Sequence, residues 1–422
     1  MTSIILGEGI EALFFLSLWS IKSLKMLSFN NTKVSFSGKT DKDLVRSYWL
    51  FKFISFNWVV SFGKAMTDFA LKLNLPIKRI IKATVFKQFC GGENIAECDK
   101  TVNDLSRFNI GTILDYSVEG KEAEEDLDHC AAETLANIAK AKGDTNIPFC
   151  VFKVTGLARM ELLEKVSAKA TLTDDENKEY ERVRGRVSAI CKASYEANVP
   201  MFIDAEHSWI QDAIDDLSNE MMALYNNEKP IVYNTYQLYR KDRLAYLKHS
   251  FDESLKGNYY MGAKLVRGAY MEKERARAIE KGYPSPIHET KADTDKDYNA
   301  ALAFCVDHID RIAICAGTHN EQSSLELVEM MKNKNIKSIN KHIYFSQLLG
   351  MSDHISYNLA EAGYNVSKYV PYGPVKEVLP YLIRRAQENT SVKGQTGREL
   401  GLIIKEKERR ASVALTVVKK DC

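Results

Sequence analysis

The segment YLIRRAQEN, residues 381–389, sets Arg384 and Arg385 side by side in a stretch whose composition predicts a helix. Adjacent helical residues diverge by about 100° around the axis, so two guanidiniums can grip one anion from two sides without stacking. Planar guanidinium forks suit carboxylate or phosphate. Glu388, one turn after Arg384, offers a plainer role for the pair, an ion pair on a solvated helix face that contributes little. The surrounding KYVPYGPVKEVLPYLIRRAQEN tips the balance toward an anion site. It reads as a strand ending at Tyr369, a Pro/Gly turn and a helix opening near Pro374.

Other groups able to do chemistry recur along the chain: Asp115 and Ser117, Lys153, Asp204 and Glu206, Asn234 and Gln237, Lys264 and Arg267, Thr318 with His319 and Asn320, and Ser346 with Gln347. No metal site is expected from them. The cysteines form no CxxC pair and the histidines no zinc spacing. TDDEN, residues 173–177, begins like a calcium loop but lacks the later glycine and glutamate, and a capped helix start at Thr173 explains it better.

Each of these groups closes a short β-branched or aromatic run. Eight such runs occur: 111–118, 148–156, 199–206, 230–237, 261–268, 311–320, 341–347 and 364–373. Helix-like stretches separate them, the longest at 159–198, where two charged helices are expected to meet at TLTDDEN. Strands alternating with helices predict a parallel sheet, and eight units predict an α/β fold of the (β/α)8 TIM-barrel type. A doubly wound sheet is the structural alternative. It would want a glycine-rich turn after the first strand, where DYSVEGKEAEED stands instead. In a barrel the carboxyl ends of all strands open on one face, so the polar run ends would converge there.

The remaining sequence frames this barrel. The 422 residues carry a net charge of +2, which gives no electrostatic footprint for nucleic acid. The 8 cysteines read as reduced thiols, Cys150 and Cys315 among them as core residues. Residues 1–25, with the apolar IEALFFLSLW at 10–19, read as an extension outside the folded core, with Met26 as a second start; a surface-anchoring helix is the alternative. Residues 26–105 read as a helical region, with a helix from Thr40 or Asp41 and another opened by Pro76. The barrel is expected over 106–410, followed by a tail at 411–422.

FIDAE (202–206), AKLVRGAYMEKERARA (263–278), GTHNE (317–321), YFSQLLGMSDHISYNL (344–359) and KYVPYGPVKEVLPYLIRRAQEN (368–389) occur in the order found in the proline dehydrogenase family, which the chain resembles over about residues 85–410. The likeness is to the monofunctional, eukaryote-like branch. It implies a distorted (β/α)8 barrel binding FAD non-covalently. It implies oxidation of L-proline to Δ1-pyrroline-5-carboxylate, with hydride passing from proline C5 to flavin N5 and electrons leaving to a membrane quinone. No room is expected for a fused aldehyde dehydrogenase module. Matched position by position, Lys153, Arg384 and Arg385 would hold the proline carboxylate, and Leu265, Tyr270, Tyr369 and Tyr381 would line its ring. Asp204, Asn234, Lys264, Val266, Gly268, Thr318, His319, Asn320 and Glu388 would hold the cofactor. Lys264, supported by Asp204, would stand at the reacting nitrogen. Lysine at 264 and asparagine at 234 replace the arginine and glutamine of many bacterial members. Hydroxyproline-oxidising members tend to carry a smaller residue where this chain has Tyr369.

The resemblance also implies a cytoplasmic protein, or one peripheral to the inner face of a bacterial membrane, or the mitochondrial inner membrane in a eukaryote. Two rivals remain within the barrel class: a hydroxyproline dehydrogenase, and a non-catalytic barrel that binds an amino acid. A barrel enzyme acting on a phosphorylated sugar is a third, weaker alternative.

Overall fold

The computed structural model describes residues 27–56, 78–118, 122–391 and 395–418. Its centre is a closed barrel of eight strands in sequence order. They are β1 (Ile110–Tyr116), β2 (Phe149–Lys153), β3 (Met201–Asp204), β4 (Val232–Gln237), β5 (Met261–Val266), β6 (Ile312–Gly317), β7 (Ile343–Leu348) and β8 (Val366–Tyr372). Every neighbouring pair is parallel, β1 with β8 included. All eight expected runs are therefore strands, and their carboxyl ends share one face.

Register decides which side chains look inward. Lys153 pairs with Asp204, Thr235 with Lys264, and Lys264 with Cys315. Side chains alternate along each strand, so Phe149, Val151, Phe202, Tyr233, Cys315 and Tyr369 fill the interior as one cluster. Phe149 stacks on Phe202 at 4.4 Å, and Tyr344 meets Phe149 edge-on at 4.7 Å. These rings make a dry floor. The opposite faces of the strands carry Leu114, Cys150, Ile203, Tyr236 and Leu265 into the larger core beneath the helices. Cys150 and Cys315 are both buried and free, as core residues would be.

The capping signals at Thr40 and Thr173 both operate. Thr40 opens helix Asp41–Ile54 and Thr173 opens helix Asp174–Ala197, each with its third residue bonding back in a capping box. The 159–198 connection is two helices, Met160–Ser167 and Asp174–Ala197. Of the two expected helices, the first is Asp41–Ile54 and the second is described over residues 78–89, as an α-helical turn, a π-helical turn and a further α-helical turn. Pro76 and the 1–25 extension lie outside the described residues.

Three boundaries move, the first being β8, which runs to Tyr372 and past its expected end at Tyr369. The helix after β8 begins at Leu379, not near Pro374. Residues 374–378 form a turn, with Glu377 N and Val378 N both donating to Pro374 O, because Val375 and Val378 are drawn into an apolar cluster. The last helix, Gln395–Val418, runs on through the expected barrel end at 410.

That apolar cluster is a second core. Phe36, Leu44, Phe51 and Ile54 from the N-terminal segment meet Val378, Leu379, Tyr381 and Leu382, and Leu402 and Ile403 of the last helix. Leu348, at the end of β7, packs against both this cluster and the barrel interior. The helix bearing Arg384 and Arg385 is thereby seated at the β7 end of the barrel by segments from both ends of the chain.

Candidate active site

Above the aromatic floor, β3, β5 and β8 bring three groups together. Lys264 Nζ donates to Asp204 Oδ1 and to Tyr369 Oη, each at 2.5 Å, and Tyr369 Oη lies 3.3 Å from the same carboxylate oxygen. The ammonium also sits 4.3 Å from the centre of the Tyr369 ring. Burial, then the negative charge of Asp204, pushes the Tyr369 phenol well above its usual range. It therefore stays protonated and can serve as donor or acceptor.

The expected third cation, Lys153, faces the same interior. Its Nζ lies 3.7 Å from Asp115 Oδ2, to which Ser117 also donates at 2.7 Å. The floor of the site thus holds two lysines, each beside an aspartate. Asp115 joins this cluster although family matching gave it no role; its place near the end of β1 was the signal.

The β5 and β6 ends form one wall. Val266 is half-buried at the mouth, and a side chain on Gly317 would press against it at 3.0 Å. Gly268 has φ +134, and a Cβ there would meet the Tyr239 ring at 2.4 Å. Both the left-handed backbone and the ring beneath require glycine. Arg267, which had no assigned role, bonds Thr318 Oγ1 at 2.7 Å, Ser323 Oγ at 2.9 Å and Asp295 at 2.7 Å. It ties the β5 end to the β6 end. Thr318 then accepts from Asn320 N, and Asn320 caps helix Glu321–Asn333. His319 Nδ1 lies 2.9 Å from Ser352 Oγ. Burial first, then the nearby charges of Lys368 and Arg385, hold its pKa down at about 3, so the ring is neutral.

Two expected residues are not at this mouth. Asn234 faces outward from β4: its amide donates to Asp215 Oδ1 at 2.9 Å and its oxygen accepts from Thr235 N at 2.7 Å. Thr235, its neighbour, takes the inward position. Leu265 likewise packs in the outer core, between the inward-facing Lys264 and Val266. Strand alternation excludes both from the barrel interior. Tyr270 is half-buried before helix Met271–Lys281, with its ring 4.2 Å from His207.

The arginine helix, Leu379–Ser391, supplies the far wall. Arg385 is 7% exposed and its guanidinium lies 5.1 Å from the Tyr381 ring, which is buried in turn. Its positive charge is among those that disfavour protonation of His319. Arg384 is half-buried on the same turn. The side chain of Glu388 lies outside the described residues.

Comparison with known proteins agrees with this architecture. The family model for proline dehydrogenase matches residues 98–398. "Proline dehydrogenase 1, mitochondrial" of Dictyostelium discoideum is 34% identical over 427 residues, covering 90% of this chain and 74% of that protein. "Hydroxyproline dehydrogenase" of Xenopus laevis is 32% identical over 423 residues, covering 91% and 90%. A crystal structure of proline utilization A (PutA) from Bdellovibrio bacteriovorus, inactivated by N-propargylglycine, matches with TM-score 0.68 at 19% identity. That alignment covers 90% of this chain and 41% of the solved one, and it concerns the fold alone. The closed eight-stranded parallel barrel ringed by helices places the chain among (β/α)8-barrel proteins. Within that class, this chain belongs to the proline dehydrogenase family, and its relatives include proteins named proline dehydrogenase and hydroxyproline dehydrogenase.

Proposed function

We propose that the chain oxidises L-proline to Δ1-pyrroline-5-carboxylate using non-covalent FAD, and that the electrons leave to a membrane quinone. The observation that carries this is the cluster of Lys264, Asp204 and Tyr369 on the aromatic floor, facing the helix of Arg384 and Arg385. The residues fit such a cofactor: neutral His319, Thr318 and Asn320 offer hydrogen-bonding atoms, Lys264 a cation, and Val266 and Gly268 a side-chain-poor wall. With Asp204 and Glu388 these would hold the flavin; Asn234 is withdrawn from the set. When bound, the flavin supplies the hydride acceptor.

The chain's own residues do the rest. Arg384 and Arg385 hold the carboxylate from two sides, and Lys153 adds charge from below. Burying that carboxylate is favourable only against opposing charge. Tyr369 and Tyr381 orient the ring, and the Phe149–Phe202 stack excludes water beneath it. Lys264, compensated by Asp204 at 2.5 Å, would hold a fixed positive charge beside the bound cofactor.

The Xenopus relative's name raises hydroxyproline as a second substrate. Tyr369, 6% exposed with its hydroxyl tied to Lys264, fills the space a hydroxyl on the ring would need, which favours proline. Peripheral membrane association follows from the acceptor. Among the described residues no helix is long and apolar enough to cross a bilayer. Turnover of purified protein with L-proline and trans-4-hydroxy-L-proline, using a quinone analogue as acceptor, tests the assignment. Faster turnover with hydroxyproline would reverse it.

A further inference from the structure

Ser352 stands between β7 and helix Asp353–Glu361 with φ 51, a left-handed backbone that is unfavourable for serine. Its peptide groups show why it is held. Ser352 N donates to Glu399 Oε1 at 2.5 Å, and Ser352 O accepts from Ile355 N and Ser356 N at 3.0 and 3.2 Å. With the backbone pinned at both ends and no solvent exposure, Ser352 Oγ lies 2.9 Å from His319 Nδ1. That is the contact its hydroxyl makes among the described residues.

A serine hydroxyl has one proton to place, and leaving a buried donor without an acceptor costs about 1–3 kcal/mol. If His319 Nδ1 carried hydrogen, Ser352 Oγ would have to accept, and its own proton would be stranded. The hydroxyl therefore donates to Nδ1, and the neutral ring keeps its proton on Nε2.

Glu399 is 4% exposed and belongs to the last helix, Gln395–Val418, about eighty residues beyond His319 in sequence. The same helix turn reaches the other side of His319. Arg398 Nε bonds Glu321 Oε1 at 2.8 Å, Glu321 follows Asn320, and His354 Nε2 meets Glu321 Oε1 at 3.0 Å. Residues 398 and 399 thus hold both segments that flank the imidazole. We infer that Ser352 and Glu399 are positioning residues that fix the tautomer of His319, presenting Nε2–H as a hydrogen-bond donor to the cofactor. The cofactor half of this rests on the proposed flavin site; the tautomer half does not.

The full chain, labelled with 15N-histidine and used as purified, gives the ring-nitrogen shifts directly, with the His319 signals identified by their loss in His319→Gln. At pH 7 the expected pattern is protonated Nε2 and bare Nδ1. Ser352→Ala should turn this into a mixture and weaken FAD uptake roughly tenfold, the scale of one lost hydrogen bond. Ser352→Cys, which keeps a donor on the same Cβ without a β-branch at this left-handed position, should hold the native tautomer better than Ser352→Ala. Glu399→Gln, whose amide oxygen still accepts from Ser352 N, should keep the native tautomer, whereas Glu399→Ala should not. A role confined to stability would lower the melting temperature of Ser352→Ala and leave its nitrogen shifts in place. That outcome, or a proton on Nδ1 in the unmodified chain, overturns the tautomer assignment. A shifted tautomer with unchanged FAD affinity overturns its link to the cofactor. A chain that takes up no FAD defeats the proposed function instead, and the nitrogen shifts still judge the relay.

Discussion

Lys264→Met should be among the most destabilising single changes in the barrel, and the structure says how much. Lys264 and Asp204 have side chains 7% and 13% exposed, with Nζ and Oδ1 2.5 Å apart. Among the described residues, removing the ammonium leaves the Asp204 carboxylate with the Tyr369 hydroxyl as its hydrogen-bond partner, at 3.3 Å. Stripping one partner from a buried pair costs about 3–5 kcal/mol, most of it from the charge left behind. Asp204→Leu should cost a similar amount, since it leaves the ammonium over the Phe202 and Tyr369 rings. The double variant strands neither charge. It should be less destabilised than the two singles summed, with a coupling of about 2 kcal/mol or more. Urea unfolding of the flavin-free protein gives all four corners of the cycle, so catalysis does not enter. Additivity within about 0.5 kcal/mol would show that the two groups do not pair, and would remove the fixed charge from the proposed site.

Further consequences concern substrate and pH. Arg384→Ala or Arg385→Ala should raise KM for proline by about 30-fold or more, the equivalent of roughly 2 kcal/mol and upward for a lost desolvated contact, with flavin content retained; steady-state kinetics beside the flavin absorbance separates the two. Tyr369→Ser should shift the proline to hydroxyproline ratio toward hydroxyproline, and an unchanged ratio in competition assays would count against the packing role. Acid should unfold the chain partly through two groups. Burial works against the charged form of Glu321, but His354 and Arg398 outweigh it and hold its pKa at about 2, below the ordinary 4.5. Its contribution is therefore complete above pH 4.5 and lost as pH falls toward 2. His319, held at about 3 against an ordinary 6.5, resists protonation in the folded state, so its contribution fades from pH 6.5 downward. Melting temperatures across pH 3–7 should fall less steeply below pH 4.5 in Glu321→Gln.

The barrel was legible in the sequence because each strand is a compact apolar run ending in polar residues, and the capping threonines marked helix starts without help from tertiary structure. Which face a strand residue takes was not legible. Parallel strands are buried on both sides, so apolar–polar alternation disappears. Asn234 was placed at the mouth as a polar run end and by family position, and Leu265 by family position; the bond from Asn234 to Asp215 and the outer-core packing of Leu265 show that both point outward. The second core was equally hidden, since it joins residues such as Leu44 and Leu402 from opposite ends of the chain. Its demand for Val375 and Val378 explains why the arginine helix starts five residues later than its prolines suggested. The link from Glu399 through Ser352 to His319 needed the left-handed backbone at Ser352, for which a serine gives no sign.

The central claim is that proline delivers hydride to a flavin held in this mouth. Anaerobic titration of the purified, flavin-loaded protein with L-proline tests it most directly. The account predicts that the yellow absorbance bleaches in proportion to proline and returns when a quinone analogue is added. A flavin that stays oxidised under saturating proline, or a chain that cannot be loaded with FAD at all, would contradict it.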